Sequence, residues 1–238
     1  MQQHLGEPMT VDDMARAALF SKFHFMRMFQ RSTGVSPGRF LSALRIQRAK
    51  HLLVSTSLRV AEISWTVGYT SVGTFSTRFT RSVGLSPSRY RRLGSDVAEL
   101  PIDRDPASAS RATGTLRGRV LHDAGATAEP IFVGVFRERI PEGRPVQYRI
   151  LDRPGNFVLD SVPVGAWHLL GHAAAARPRF DRVAGTPLRG CRGPIVVRPG
   201  AVAKTDLRLA PKRALDPPVL LAQLDATPAR CASAPVRL

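Results

Sequence analysis

Three spots in the sequence hold residue types that do chemistry in other proteins. Gly34-Val35-Ser36-Pro37-Gly38 has the G-x-S-x-G spacing of a serine nucleophile. Such an elbow has to follow a strand and open a helix, because the sharp turn between them exposes the serine oxygen. Here a run of helical period precedes it, and Gly84-Leu85-Ser86-Pro87-Ser88 repeats it after a second such run. Both read as turns that end a helix. His168 and His172 fall on one face of an expected strand. Four steps of ~3.3 Å separate them by ~13 Å, too far to share a metal ion. Cys191 lies in Arg189-Gly190-Cys191-Arg192-Gly193. Its basic neighbours would lower a thiol pKa, as a redox sensor or alkyl acceptor requires, but no histidine or carboxylate accompanies it locally. The expectation is no catalytic residue, no metal site and no cofactor.

The remaining chemistry is cationic. Lys plus Arg number 35 against 18 Asp plus Glu, a net charge of +17. That excess fits a polyanionic partner, and duplex DNA leads the candidates. The competing reading is an arginine-rich composition, since 31 of the 35 cations are arginine. Residues 1–94 hold 14 cations and 4 carboxylates, giving +10, and residues 95–238 hold 21 and 14, giving +7. Net charge is therefore denser in the first part.

The elements that must carry these side chains fall into two regimes within 238 residues. Hydrophobic residues at 43% exclude wholesale disorder. No apolar run approaches the ~18 residues of a membrane span. Met1 to Glu7 lacks the apolar core of a signal peptide, so a cytoplasmic protein with reduced thiols is expected. Residues 1–94 are poor in proline and have apolar residues at helical spacing. Residues 95–112 read as a polar linker. Residues 113–211 alternate in short runs between Gly, Pro and Asp, a strand-and-turn pattern. Residues 212–238 form a Pro/Ala-rich tail with room for one short helix near Val219 to Asp225.

An internal repeat organises the first regime. The stretch from Phe25 to Phe40 matches Phe75 to Tyr90 at eight of sixteen positions. Each copy reads as helix, turn, helix. Thr10 and Ser21 are good N-caps, and Asp12 and Asp13 suit the positive end of the first helix. Phe25, Met28 and Phe29 face inward in the first copy, and Phe75 and Phe79 in the second. Gly34 ends one helix and Pro37 starts the next. Between the copies runs a long helix from Phe40 to Val54. Its apolar stripe is Phe40, Leu41, Leu44, Ala49, Leu52 and Leu53, and Arg45, Arg48 and Lys50 lie off it.

A helix-turn-helix leaves one face of its second helix free for a major groove. In the first copy that face carries Lys22, Phe23, Met26, Arg27 and Gln30. In the second it carries Gly73, Ser76, Thr77 and Thr80, with Arg78 and Arg81 beside it. Arg27 and Gln30 suit bidentate readout of base edges, and Phe23 and Met26 suit thymine methyls. Lys22, Arg31, Arg39, Arg78, Arg81 and Arg89 suit phosphates, which position without specifying. The bland alternative is a solvated helix face, and the doubling of the whole unit weighs against it.

Residues 1–94 resemble the AraC/XylS-type DNA-binding domain. The resemblance rests on Met14-Ala15 with Phe20-Ser21, Arg48-Ala49 with Leu52-Leu53, and Val60-Ala61-Glu62-Ile63 running to Val67-Gly68-Tyr69. Phe75-Ser76 with Phe79, and Gly84-Leu85-Ser86-Pro87 with Tyr90-Arg91, complete it. It implies two helix-turn-helix units on a linker helix, with both recognition helices in successive major grooves. By position, Phe23, Met26 and Arg27 match base-contacting sites of the first recognition helix, and Val72, Gly73, Ser76 and Thr77 those of the second. Only Gln2-Gln3-His4-Leu5-Gly6 stands where the family has a full first helix. Leu19 replaces the small turn residue that Gly68 supplies in the second copy. Val72 and Gly73 stand where polar readers are common, so discrimination is expected mainly from the first unit. No effector domain is expected ahead of the helices.

The expected fold class is multi-domain α plus β, with an N-terminal all-α double helix-turn-helix and a C-terminal all-β seven-stranded sandwich. The strands are Leu116–Leu121, Ile131–Phe136, Val146–Leu151, Asn156–Leu159, Trp167–Ala174, Ile195–Val197 and Ala203–Leu209. The runs Gly155-Asn156-Phe157-Val158-Leu159 and Pro163-Val164-Gly165-Ala166-Trp167 resemble carboxypeptidase regulatory-like (transthyretin-like) domains. Such domains are usually non-catalytic. The second domain would sense a small-molecule effector, form a homodimer or contact another protein. The whole reads as a transcription regulator binding double-stranded DNA, with no membrane partner. Two alternatives stand beside it: an adaptor built on a degraded helix-turn-helix, and a thiol-reactive enzyme using Cys191.

Overall fold

The computed structural model describes residues 5–93, 112–122, 130–173 and 186–222. The expected linker falls almost wholly outside them, as does the tail after Ala222. Six helices come first: α1 (Val11–Ala17), α2 (Lys22–Thr33), α3 (Pro37–Ser55), α4 (Val60–Thr66), α5 (Val72–Val83) and α6 (Pro87–Leu93). Eight strands follow: β1 (Thr113–His122), β2 (Ile131–Phe136), β3 (Gln147–Leu151), β4 (Asn156–Pro163), β5 (Gly165–Ala173), β6 (Leu188–Val197), β7 (Val202–Lys204) and β8 (Leu207–Pro211).

The helix boundaries follow from local chemistry. At α1 the Thr10 hydroxyl accepts from the Asp13 N–H at 3.2 Å, and the Asp13 carboxylate accepts from the Thr10 N–H at 2.9 Å. This reciprocal cap satisfies two donors that a helix start leaves open. The hydrogen bonds from Thr10 hold the Asp13 carboxyl below the usual carboxylate range. Ser21 and Ser71 cap α2 and α5 by accepting from His24 N–H and Thr74 N–H. Gly34 and Gly84 end those helices in the left-handed conformation, at φ 75° and 86°, which costs glycine nothing. Ser36 thus sits in a turn between two helices, not between a strand and a helix.

The two units repeat in backbone detail. After α1, Leu19 and Phe20 donate to Arg16 and Ala15 carbonyls; after α4, Gly68 and Tyr69 donate to Trp65 and Ser64 carbonyls. The shared turn needs a positive φ, 84° at Gly68 and 58° at Leu19. Leucine there meets the steric cost that glycine avoids, and its side chain is 92% exposed. Met28, expected inside, is exposed; Phe25 alone of the α2 aromatics is fully buried, with Phe29 half-buried.

Helix α3 buries nearly half of its residues, while Arg48, His51 and Val54 stay exposed. Phe40, Leu41, Ala43, Ile46, Ala49 and Leu53 are among its core residues. Lys50, expected off the apolar stripe, is 2% exposed. Its ammonium donates to the Leu221 carbonyl at 3.2 Å and approaches the Val219 carbonyl at 3.5 Å. Burial of a lysine is tolerable when its donors are met in this way. Val219 to Leu221 forms no helix. This stretch leaves the sheet and lies against α3. Leu220 and Ala222 join Ile63, Phe75, Phe79 and Tyr90 in one core, together with Ile140 from the β2–β3 connection.

The C-terminal region is sheet-rich. One hydrogen-bonded path runs β3-β2-β5-β6-β8-β1-β4, and β7 pairs with β1. It is a nearly closed, barrel-like sheet. Its neighbours are antiparallel except β1–β7 and β1–β8. Among the described residues there are eight strands where seven were expected. The run expected as Ala203–Leu209 breaks into β7 and β8 where it crosses Gly118, whose missing side chain leaves room for the Thr205 carbonyl. Strand β6 begins at Leu188, earlier than expected, because its Gly- and Arg-rich first half pairs with both β5 and β8. Inside the sheet, Leu116, Phe157, Trp167, Leu169 and Leu207 form a core. On the outer face, Phe132, Phe136 and Leu170 pack under Leu221. Leu221 thereby covers the sheet while its neighbours Leu220 and Ala222 close the helical core. Among the described residues no helix is long and apolar enough to cross a membrane.

Candidate nucleic-acid interface

Helices α2 and α5 each bury one face and leave the other free. In α2, Phe25 and Phe29 turn inward to Phe40, with ring centroids 5.5 and 5.3 Å apart along the chain of contacts. Residues 23, 26, 27 and 30 recur at helical spacing on the opposite side, so one rotation of the helix sets all four outward. Phe23 is 78% exposed, Met26 37%, and Arg27 and Gln30 are exposed. Phe23 and Met26 thus form an exposed apolar pair beside the polar Arg27 and Gln30.

In α5, Phe75 and Phe79 are fully buried against Tyr69 and Tyr90. Gly73 and Thr77 are exposed, and Val72 and Ser76 are half-buried. A side chain at Gly73 would meet only the Ser71 oxygen, at 3.7 Å, so the glycine leaves open space on this face. The second helix therefore presents a smoother, smaller surface than the first.

The six basic candidates divide into two groups. Lys22 pairs with Asp12 at 2.8 Å, Arg39 with Glu138 at 3.0 Å and Arg78 with Glu142 at 2.7 Å. Arg78 also donates to the Ser42 hydroxyl at 3.1 Å. Arg31, Arg81 and Arg89 are exposed and, among the described residues, have no carboxylate within 4 Å. Free guanidinium groups of this kind are available to phosphate oxygens without first breaking an ion pair.

Glu138 and Glu142 were not legible as part of the site. Their run, Arg137-Glu138-Arg139-Ile140-Pro141-Glu142-Gly143-Arg144, signals a charged connection and nothing about its target. The fold fixes the target through the Gly143 N–H, which donates to the Ser82 carbonyl at the end of α5 at 2.9 Å.

The residues considered for other chemistry lie in the sheet. Burial pushes the Cys191 thiol up, and the lowering pull of Arg139 and Arg189 is the smaller effect. The expectation of a lowered thiol pKa is thus reversed, since desolvation disfavours the thiolate more than the cations favour it. His168 is pushed down by burial, then by Arg139. Trp167 is a core residue whose indole N–H donates to the Pro163 carbonyl at 2.6 Å. Among the described residues no three His, Cys, Asp or Glu side chains gather as a metal-ion site.

Two capped helix-turn-helix units on a shared central helix, each with an outward second helix, define a tandem helix-turn-helix module. Residues 14–93 match a family model described as a helix-turn-helix domain. The chain is 40% identical over 82 residues to an uncharacterized HTH-type transcriptional regulator of Haemophilus influenzae, covering 34% of this chain and 28% of that protein. It is 34% identical over 90 residues to the lactose operon transcription activator of Staphylococcus xylosus, covering 38% and 31%. Among solved structures it is similar to the DNA-binding domain of AdpA, a global transcriptional factor, in complex with a target DNA. That match has 32% identity, a TM-score of 0.38, and covers 39% of this chain and 83% of that one. The N-terminal region is an AraC-type helix-turn-helix domain. The chain spans about a third of the length of the curated relatives it matches.

Proposed function

We propose that this chain is a sequence-specific DNA-binding transcription regulator whose α2 and α5 enter successive major grooves. The observation that carries this reading is the outward face of α2. Phe23, Met26, Arg27 and Gln30 stand exposed together, backed by a buried aromatic face. Base readout falls to Phe23, Met26, Arg27 and Gln30 in the first unit and to Val72, Gly73, Ser76 and Thr77 in the second. Phosphate contact falls first to Arg31, Arg81 and Arg89. Lys22, Arg39 and Arg78 join when their carboxylate partners yield. The names of the relatives, all regulators, support a non-enzymatic role and a cytoplasmic site of action.

The domain boundaries in this reading are 1–94 for DNA binding, 95–112 for the linker, 113–211 for the sheet and 212–238 for the tail. The Gly-Asn-Phe-Val-Leu and Pro-Val-Gly-Ala-Trp runs, whose aromatics Phe157 in β4 and Trp167 in β5 are buried, support a non-catalytic module like the transthyretin-like domains. Cys191 has no catalytic role here, and slow alkylation of its thiol at neutral pH is the expected result.

Selection of bound sequences from a random duplex library tests the main reading, at ~150 mM salt, where weak non-specific retention is suppressed. The expected result is an enriched motif in two parts about one helical turn apart. Salt-sensitive retention with no enriched motif overturns it in favour of an interaction adaptor.

A further inference from the structure

A cavity of about 700 Å³ lies between the helices and the β2–β3 connection. Its walls carry five arginines: Arg39, Arg78 and Arg81 from the helices, and Arg137 and Arg144 from the connection. The carboxylates facing them are Glu138 and Glu142, which pair with Arg39 and Arg78. Among the described residues, three positive charges on the walls therefore have no carboxylate partner. Arg81 and Arg144 have no carboxylate within 4 Å among the described residues, and Arg137 lies over the Trp167 ring at 5.5 Å.

Gathering like charges from two parts of the chain raises the local potential, and a bound anion relieves it. Guanidinium groups present planar donor forks that match the oxygens of carboxylate or phosphate two at a time. The cavity size is that of a small-molecule site and excludes a duplex. Ile140 and Val146 give it an apolar margin, and Gly38 leaves open space where a side chain would stand. These features fit a compact carbon frame with an oxyanion at each end.

We propose that this cleft is an effector site for a small organic molecule bearing two or more carboxylate or phosphate groups, held by arginines of both regions. Its role as an effector site rests on the regulator reading above; the binding itself does not. Ligand and DNA would draw on Arg39, Arg78 and Arg81 alike, so occupancy weakens DNA binding.

Calorimetric titration of the full chain, without DNA, with citrate and with pyrophosphate at constant ionic strength tests the site. Acetate serves as the single-charge control. The expected result is saturable one-to-one binding of citrate or pyrophosphate and none of acetate; which of the two binds tells a polycarboxylate from a phosphate source. Arg144→Ala is exposed and lies outside the proposed DNA face, and it should weaken that binding at least ~10-fold, as loss of a charge-assisted fork does. No saturation with either anion, or an affinity unchanged by Arg144→Ala, overturns the site. The second arm measures the selected duplex with and without the bound anion. A several-fold loss of DNA affinity that Arg144→Ala abolishes supports the effector role, and an unchanged affinity overturns that role. Because the first arm contains no DNA, its failure leaves the regulator reading standing. Failure of the duplex selection leaves the anion site standing and removes only its effector role.

Discussion

The two helix-turn-helix units share their turns, the serine and glycine caps of their second helices and half of the residues in the repeated stretch, yet they are buried to different depths. The second unit rests on a broad core in which Ile63, Phe75 and Phe79 are fully enclosed, and Ile140, Leu220 and Ala222 reach it from the sheet region. The first rests on a small cluster of Met14, Ala15, Phe25 and Leu41, with Leu5 and Met9 packed at its margin. Phe29 packs at its edge, while Leu19, Phe20, Phe23, Met26 and Met28 are exposed. A shared motif therefore sets the same backbone geometry twice, while what packs behind it decides how firmly each copy is held. The firmly held unit has the plain reading face, and the lightly held unit has the elaborate one.

Core truncation should test that contrast most strongly. Phe75→Ala is expected to cost about 3–5 kcal/mol in denaturant unfolding, because a fully enclosed aromatic leaves a cavity that cannot collapse. Phe25→Ala should cost clearly less, since its cluster is small and partly open. Equal losses would mean that the first unit is better supported than its burial indicates.

Readout comes next. Arg27→Ala should weaken binding to the selected site by about 1–3 kcal/mol and relax one base position. Thr77→Ala should cost less, because α5 offers short side chains beside Gly73. A larger effect at Thr77 would reverse the assignment of discrimination to the first unit. Arg31→Ala should weaken all sequences alike and flatten the salt dependence.

The turns provide a finer test. Leu19→Gly should stabilise the first unit by about 1 kcal/mol, read as a rise in its thermal midpoint, because glycine enters the left-handed region without the steric cost of leucine. A fall would show that the exposed leucine makes a contact worth more than that cost.

The smallest effect belongs to neither unit and serves as their control. His168 in β5 is pushed below its ordinary value of about 6.5 by burial. The unfolded chain then binds this proton more readily than the folded one, so stability is lost as pH falls below about 6.5. Fluorescence of Trp167 should report that loss, and His168→Gln should remove it. Helical circular dichroism should be unaffected over the same pH range.

Much of the helical region was legible because its signals are local. Caps at Thr10 and Ser21, the ends at Gly34 and Gly84, and the aromatic spacing of Phe25–Phe29 and Phe75–Phe79 each act within a few residues. Strands such as Ile131–Phe136 were legible for the same reason. What escaped depends on distant partners. Lys50 looks like a surface lysine until the carbonyls of Val219 and Leu221 arrive beside it. The first half of β6 looks like a turn because Gly190, Gly193 and Pro194 are turn residues, yet Gly190 is there to let the Arg208 carbonyl approach. The Glu138 and Glu142 pairs with Arg39 and Arg78 join residues that no sequence period relates. The reading face of α2 was legible as a face, and the charged loop beside α5 was not legible as its partner.

The stretch from Val219 to Ala222 has a bearing on how the protein is made. A ribosome delivers α4, α5 and α6 long before it delivers Leu220 and Ala222, which complete their core. Until then Lys50 lacks the two carbonyls that receive its charge, and Ile63 and Phe75 lack part of their cover. A chain cut short before residue 219 would carry every residue of both recognition helices on an unfinished support. Residues 219–222, made after both helix-turn-helix units and the sheet, thus couple the finished core of the helical region to delivery of a much later stretch.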